Sequence, residues 1–278
     1  MGLIQINIQD RHKLAHLFQG HPGGLISQSV LDGYSGRALA NQKLKFAVLE
    51  IPSARVCILG GDFSQTEARE YLKSLPGFSQ VFFTDKSFID VAQKVHPGKW
   101  IELERYAFSA DKLNPEHLKT LKSKIPDGFQ IVKIDISLAQ QLRKRKNKFA
   151  EAHGLNFVSP EDFIARGIGY CALDGTNIAC VGSSFAVCDT GIEIQIDTQK
   201  QYQGKGLATA VSAHLIIECL EKNLVPSWDA ATTTSAKLAE KLGYMPEGVY
   251  TMMVFTNSRF LVSLRNTIRR IKSSRTKQ

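Results

Sequence analysis

The stretch Gly191-Ile-Glu-Ile-Gln-Ile-Asp-Thr198, followed after a short connection by Gln203-Gly-Lys-Gly-Leu-Ala-Thr209, decides the fold of this chain. Its first part alternates isoleucine with polar residues, which is the period of a β-strand with one buried face. Its second part is a glycine loop that leads directly into a helical pattern. The apolar stripe of that helix is formed by Leu207, Val211, Leu215 and Cys219.

A strand, a glycine loop and a helix N-terminus together form a site for an anion. The first amides of a helix lack internal partners, and the helix dipole adds partial positive charge there. Glycine at positions 204 and 206 lets a pyrophosphate approach the backbone without a clashing Cβ. The spacing fits neither a P-loop nor a dinucleotide fingerprint, which needs a third glycine where Thr209 stands. The stretch therefore predicts binding of a phosphate-bearing cofactor.

The loop is similar to the Gln/Arg-x-x-Gly-x-Gly/Ala signature of the GNAT superfamily of N-acyltransferases, matched here by Gln203, Gly206 and Ala208. From about residue 129 to 255, the order of predicted strands and helices resembles the domain of that superfamily. Residues 219–244 resemble the GNAT acetyltransferase subfamily that includes zwittermicin-type antibiotic self-resistance proteins. The resemblance implies an α/β (α+β) fold: a mixed, mostly antiparallel sheet flanked by helices.

Three segments are expected along the chain. Residues 1–126 form an additional N-terminal α/β domain that contributes to the acceptor site, residues 127–256 the acyltransferase domain, and residues 257–278 a basic amphipathic helix. The first boundary is placed at Pro126-Asp-Gly128, because proline and Asp-Gly interrupt regular structure. In the N-terminal part, Ser64-Gln-Thr-Glu67 predicts a capping box at a helix start. No internal sequence repeat is apparent.

The resemblance implies that acetyl-CoA binds at the strand end and the glycine loop. Backbone groups at the strand end would pair with the pantetheine arm like an added strand, and loop amides would hold the pyrophosphate. A charge contact from the loop lysine would add to this. The implied cofactor-binding residues are Ile196, Asp197, Thr198, Gln203, Gly204, Lys205, Gly206, Leu207, Ala208 and Thr209. The alternative is a glycine-rich turn without a ligand.

Glu193 is the predicted general base, because it lies on the polar face of the strand whose end would hold the thioester. Gln195 and Asp197 share that face and are rivals. A β-bulge in this strand would switch the alternation and move the assignment. The alternative for Glu193 is a solvated carboxylate without a catalytic role.

Two positions depart from the superfamily pattern. An asparagine is common where Thr232 stands, and a tyrosine acting as general acid is common at the position of Ala239. Alanine cannot protonate a departing thiolate. Either a hydroxyl of Tyr244, Tyr250 or Ser235 or a water molecule replaces it, or the activity is reduced. The departure keeps a non-catalytic acyl-CoA-binding sensor open as an alternative to the enzyme.

The formal net charge of +9 is concentrated in residues 257–278, which carry seven basic residues and no acidic one. The remaining chain is close to neutral, which argues against a broad nucleic-acid-binding surface. A nucleic-acid role through residues 143–148 and the tail is the rival. Apolar residues form a stripe among the basic ones in the tail, so it fits a helix lying on an anionic membrane or an acidic partner, or one that covers the domain. The stripe consists of Phe260, Leu261, Leu264, Ile268 and Ile271.

Other features place the protein in the cytoplasm. There is no apolar run of 18 residues and no signal peptide, so neither a transmembrane helix nor secretion is predicted. The five cysteines include no Cys-x-x-Cys pair, which favours reduced thiols. His12 and His16 are four residues apart but lack further ligands nearby, so no metal is expected. The predicted activity is direct transfer of an acetyl group, in a ternary complex, to a primary amine of a small molecule.

Overall fold

The computed structural model describes residues 2–21, 23–144, 153, 156–263 and 265. Its contacts divide the chain into two compact units. The first unit contains residues 1–104 and 251–278, and the second unit contains residues 105–250. Each unit is a mixed sheet with helices, in agreement with the predicted fold class.

The first unit begins with a short strand and a helical segment and continues with three strands. A helix, a strand and a second helix follow, and the last strand, β6, crosses into the second unit. In chain order the elements are β1 (Ile4–Ile6), a 3-10 helix (Ile8–Phe18), α1 (Gly24–Leu31), β2 (Arg37–Ala40), β3 (Phe46–Ile51), β4 (Val56–Gly61), α2 (Thr66–Lys73), β5 (Gln80–Phe83), α3 (Ser87–Val95) and β6 (Trp100–Ser109).

Antiparallel pairs join β1 to β2, β2 to β3 and β3 to β4, whereas β4 and β5 are parallel. Residues 46–51 of β3 are buried throughout, as expected for a central strand. The core between this sheet and helices α2 and α3 includes Phe46, Leu72, Phe88 and Trp100. Burying these large side chains stabilises the unit by roughly 1.5–3 kcal/mol each.

The predicted capping box at Ser64 is wrong. Helix α2 begins at Thr66, and Gln65 precedes it without a side-chain cap. The carboxylate of Asp62 instead accepts hydrogen bonds from the Ser64 amide (2.9 Å) and from the side chain of Gln65 (2.5 Å). An aspartate that bonds to the backbone two residues on forms a turn of its own, and this turn delays the start of the helix.

The second unit continues the chain after β6 and ends within a strand, β12, that crosses back into the first unit. Its elements are α4 (Pro115–Lys122), β7 (Phe129–Lys133), α5 (Ile136–Arg143), α6 (Pro160–Arg166), β8 (Gly169–Asp174), β9 (Asn177–Cys188), β10 (Gly191–Thr198), α7 (Leu207–Glu221), β11 (Val225–Ala230), α8 (Thr233–Leu242) and β12 (Met245–Phe255).

Strands β7 to β10 form an antiparallel series, and β10 and β11 are parallel. Helix α7 packs against this sheet through Leu207 and Val211, which are buried with Cys180 and Tyr202. The strand predicted at Gly191 and the helix predicted after Gly206 are therefore both confirmed.

The two units repeat one order of elements. Each has a strand, a helical segment, three antiparallel strands, a helix, a parallel strand, a helix and a final strand. The final strands are exchanged: the end of β6 pairs with β11 in the second unit, and the end of β12 pairs with β5 in the first unit. The sequence shows no repeat, so the duplication is visible only in the structure.

The boundary between the units differs from the one predicted at residue 126. It lies within β6, because helix α4 already belongs to the second unit. Leu118 and Leu121 of α4 are buried, and the ring of His117 bonds to the carbonyl of Lys241 (2.9 Å). A proline and an Asp-Gly turn interrupt the chain after α4, but they do so inside the unit.

The predicted third segment, residues 257–278, is described only at 257–263 and 265, which group with the first unit. The remaining tail residues and residues 145–148 of the other basic cluster lie outside the described residues. Within the described residues, no helix is both long and apolar enough to cross a bilayer.

Candidate active site

The sheet of the second unit forks at Glu193. The parallel ladder between β10 and β11 ends where Glu193 lies opposite Ser227. Residues 194–198 continue to pair with β9, whereas residues 228–230 pair with β6. Among the described strands, none pairs with the other edge of β10 beyond this point. The backbone groups along that edge are therefore placed to pair with an extended ligand, as an added strand would.

A bulge lies next to the fork, between Glu193 and Ile194. The additional residue is Phe185 of β9, not a residue of β10. An extra residue in the neighbouring strand leaves the alternation along β10 unchanged. Glu193 therefore keeps the face that the sequence assigns to it, together with Gln195 and Asp197.

Glu193 is buried, with 4% of its surface exposed, which excludes the alternative of a solvated carboxylate. Its Oε2 accepts a hydrogen bond of 2.7 Å from the hydroxyl of Ser227. Burial, reinforced by the nearby Asp229 carboxylate, raises the pKa of Glu193 to about 7, against the lowering effect of Ser227 and Arg105. A carboxyl group with this pKa changes its protonation state near neutral pH, as a general base must.

Asp229 lies two residues beyond Ser227 and is held by two partners. The guanidinium of Arg105 contacts the carboxylate with Nη2 at 2.9 Å and Nε at 3.2 Å from Oδ2, and Nη2 also donates to the Asp229 carbonyl (3.1 Å). The hydroxyl of Tyr250 donates to Oδ2 at 2.6 Å. Burial and the neighbouring Asp229 raise the pKa of Tyr250 well above its ordinary value. Tyr250 is therefore a protonated donor at neutral pH.

The glycine loop leaves open space in front of helix α7. Gly204 and Gly206 have φ angles of 78° and 86°, a region that favours glycine, and a Cβ at either position would meet nothing within 4 Å. The first intrahelical bond runs from the Ala210 amide to the Gly206 carbonyl (3.2 Å). The amides of residues 207–209 precede it and are the orphan donors of the helix start. These features fit a pyrophosphate.

The other predicted loop residues surround this space. Residues 203–206 are exposed, Leu207 and Thr209 are buried, and Ala208 is partly buried. The side chain of Gln203 donates to the Thr198 carbonyl (3.2 Å), which ties the loop to the end of β10. The ammonium of Lys205 lies over the rings of Phe129 (5.4 Å) and Tyr202 (5.7 Å).

The predicted strand-end residues lie along the open edge of β10. Ile196 packs towards α7, and the hydroxyl of Thr198 donates to Cys180 Sγ (3.2 Å). Asp197, whose side chain is half exposed, lies 3.0 Å from Nε2 of the buried His153. Nδ1 of the same ring lies 2.7 Å from Ser183 Oγ. Asp197 is therefore committed to a structural contact, whereas Glu193 faces the fork.

The sequence model of the GNAT acetyltransferase family matches residues 15–253 of this chain. The chain belongs to the GNAT acetyltransferase family. As a GNAT acetyltransferase it is an acyl-CoA-dependent enzyme. The match extends well beyond the resemblance seen in the sequence at residues 129–255, because it also includes most of the first unit.

Individual GNAT relatives agree with this. An uncharacterized N-acetyltransferase, YdfB of Bacillus subtilis, is 27% identical over 194 residues, which cover 69% of this chain and 71% of the relative. A GCN5-related N-acetyltransferase-like protein from Streptococcus suis superposes with a TM-score of 0.80 at 29% identity, covering 89% of this chain and 98% of that one. A tandem GNAT protein from the clavulanic acid biosynthesis pathway shares the fold, with a TM-score of 0.54 at 12% identity over 91% of this chain and 96% of its own.

The two units of this GNAT acetyltransferase do not repeat the site. Strands β4 and β5 stay paired over four positions, and the Thr84 amide then donates to the Leu59 carbonyl (3.2 Å), so this sheet does not fork. The loop before α2 is occupied by the carboxylate of Asp62. A negative charge at that position opposes binding of a pyrophosphate.

The hydroxyls considered as replacements for the superfamily tyrosine have different surroundings. Ala239 is fully buried and Thr232 caps α8, accepting from the Ser235 amide (3.1 Å). Tyr244 is buried and donates to the Pro226 carbonyl (2.7 Å), which commits its proton to the backbone. Of the three candidates, Tyr250 is the one that donates to the carboxylate next to Glu193.

Sequence reasoning missed Ser227, Asp229 and Arg105. The alternation of Ser227 and Asp229 with Trp228 along β11 is a period of two that could have placed both polar residues on one face. Arg105 had no comparable signal, because β6 reaches β11 only through the exchange of final strands.

Proposed function

We propose that this GNAT acetyltransferase transfers an acetyl group from acetyl-CoA to a primary amine of a small molecule, by direct attack in a ternary complex. The observation that carries this proposal is Glu193. It is a buried carboxyl group whose pKa is raised by burial, at the residue where the sheet opens and on the strand that leads to the loop that fits a pyrophosphate.

Acetyl-CoA fits the geometry in two places. The unpaired edge of residues 194–198 suits the amide groups of a pantetheine arm, and the amides at the start of α7 suit the two phosphates. In this assignment Ile196, Asp197 and Thr198 contact the arm through their backbone, and residues 203–209 contact the phosphates. The thioester then lies towards the fork, close to Glu193.

Glu193 acts as the general base. The nitrogen of a neutral amine becomes positively charged as it bonds to the acetyl carbon, so a group must accept one of its protons. A positioned base of this kind contributes typically 10²- to 10⁴-fold to the rate. The small-molecule amine class follows from the subfamily resemblance, and a cytoplasmic place of action is proposed with it.

The test is acetylation of a panel of primary amines, with thiol release measured at varied pH and products identified by mass spectrometry. Wild-type kcat/KM should rise with pH through an apparent pKa near 7, because the base works only when deprotonated. Glu193→Gln should lower kcat at least roughly 100-fold and remove this pH dependence. Binding of acetyl-CoA by the variant should be unchanged.

Asp197→Asn is the matched comparison, because Asp197 shares the face of Glu193. If Asp197→Asn abolishes turnover and Glu193→Gln does not, the base is Asp197. If the wild-type protein binds acetyl-CoA without releasing thiol with any amine, the sensor interpretation replaces the enzyme.

A further inference from the structure

Glu193 is too deeply buried to receive a proton from an acceptor directly. With 4% of its surface exposed, it is almost completely shielded from solvent. Ser227 lies opposite it in the last parallel pair and is only partly buried. The serine hydroxyl is therefore bonded to the buried carboxylate at the position where the two strands separate.

The hydrogen bond between the two residues has a defined direction. An ionised carboxylate has no proton, so the Ser227 hydroxyl is the donor in the 2.7 Å contact with Oε2. A hydroxyl that donates its one proton keeps two lone pairs as acceptors. Ser227 can therefore accept an N–H from an amine while it donates to Glu193.

Asp229 is a poor alternative as proton acceptor. Arg105 and Tyr250 both donate to its carboxylate, and its side chain is 4% exposed. Charge-assisted hydrogen bonds from the guanidinium commit this carboxylate to a partner within the protein. Glu193 accepts instead from the hydroxyl of Ser227.

We propose that Ser227 is a catalytic residue that relays the proton of the acceptor amine to Glu193. This inference rests on the proposed function. It assigns a role to a side chain that touches the reacting nitrogen, whereas Glu193 acts one bond further away.

In the transfer step, each bond formed is matched by a bond broken, and the proton has a defined path. The amine nitrogen forms a bond to the acetyl carbon, and the carbon–sulfur bond breaks with its electron pair passing to sulfur. The amine proton moves to Ser227 Oγ as the hydroxyl proton moves to Glu193 Oε2. The same path in reverse returns the proton to the CoA thiolate, so the products are the amide and the free thiol. No separate acid at Ala239 is needed.

The experiment compares Ser227→Ala with Ser227→Thr, which keeps a hydroxyl, in the thiol-release assay with the amine that the wild-type protein acetylates fastest. Ser227→Ala should lower kcat roughly 100-fold with an unchanged KM for acetyl-CoA, and Ser227→Thr should recover most of the loss. Ser74→Ala is the control, because it removes a hydroxyl bond of the same 2.7 Å length, to the Tyr71 carbonyl in the first unit. It should keep the wild-type rate.

The double variant with Glu193→Gln separates a relay from a structural role. Groups that act in series are not additive, so the double variant should be no slower than Glu193→Gln alone. The relay would be overturned if the losses of kcat in the two single variants add in the double variant, or if Ser227→Ala keeps the wild-type kcat. In either case a slow Glu193→Gln would still support the proposed function.

The hydrogen bond between Ser227 and Glu193 can also be tested without turnover, by titrating the carboxyl group of Glu193. Infrared difference spectra of the carboxyl band should show a higher pKa for Glu193 in Ser227→Ala than in wild type, because the serine bond lowers that pKa. An unchanged titration would overturn the hydrogen bond itself, and with it the relay. If this titration shifts and no amine is acetylated, the proposed function fails and the relay falls with it.

Discussion

Gly206 begins helix α7 at a φ of 86°, and replacing it with alanine places a methyl group in the space in front of the helix. Apart from the atoms of Gly206 and its two chain neighbours, no atom of the described residues lies within 4 Å of that methyl group, so the substitution strains the backbone without a steric clash. A left-handed backbone costs a residue with a Cβ about 1–2 kcal/mol, partly offset by the restricted unfolded chain. The phosphates, in contrast, would meet the methyl group directly.

Gly128 provides a matched control. Its φ is 81°, a Cβ there would also meet nothing within 4 Å, and it lies in a turn before β7. Gly128→Ala and Gly206→Ala should therefore lose similar stability, about 1 kcal/mol, or about 2–4 °C in Tm. They should differ only in the response to acetyl-CoA.

Thermal unfolding with and without acetyl-CoA measures that response. At a ligand concentration of ~100 times the wild-type Kd, wild type and Gly128→Ala should gain roughly 2.7 kcal/mol, or about 5–10 °C. Losing one charge-assisted bond to a phosphate, about 2 kcal/mol, weakens binding roughly 30-fold. The gain of Gly206→Ala should then fall to roughly 0.9 kcal/mol, or about 2–4 °C. Equal gains in the two variants would show that the loop does not hold the pyrophosphate.

Two further predictions follow from charges elsewhere. Burial raises the pKa of Glu218, but hydrogen bonds from Lys133, Lys222 and Tyr170 outweigh it and lower the pKa from 4.5 to about 2. The stability from these bonds is present above pH 4.5 and is lost as the pH falls towards 2, so the Tm advantage of wild type over Glu218→Gln should shrink across this range and not at neutral pH. Calorimetric titration should find one acetyl-CoA site per chain, because Asp62 occupies the loop of the first unit. A second site in a protein that keeps Asp62 would contradict this assignment, as would a second site that is lost in Gly206→Ala.

The central part of the site could be predicted because its signals are local. The alternation from Gly191 to Thr198 and the glycines at 204 and 206 each determine structure within a few residues. The polar face of β10 was likewise predicted, and the bulge did not change it because the extra residue lies in β9. The burial of Glu193 could not be predicted, since it depends on β11 and on residues about 35 positions away.

The units and their strand exchange could not be predicted, because they depend on pairings between distant parts of the chain. Pro126-Asp-Gly128 interrupts the chain as expected, but an interruption marks a turn and not the edge of a unit. The capping box failed for a related reason. Ser64 and Glu67 have the required spacing, yet the Ser64 amide, which would donate to Glu67 in a capping box, donates to the Asp62 carboxylate.

The exchange of final strands has a consequence for synthesis of the chain. One strand of the first unit's sheet comes from residues 251–255, which follow the whole second unit in the chain, so β5 leaves the ribosome long before this partner is made. Domains usually fold in order as they emerge. In this protein the sheet of the first unit is completed only after the second unit has been made. A ribosome that stops before residue 251 releases a chain with an exposed sheet edge, the kind of edge that promotes aggregation.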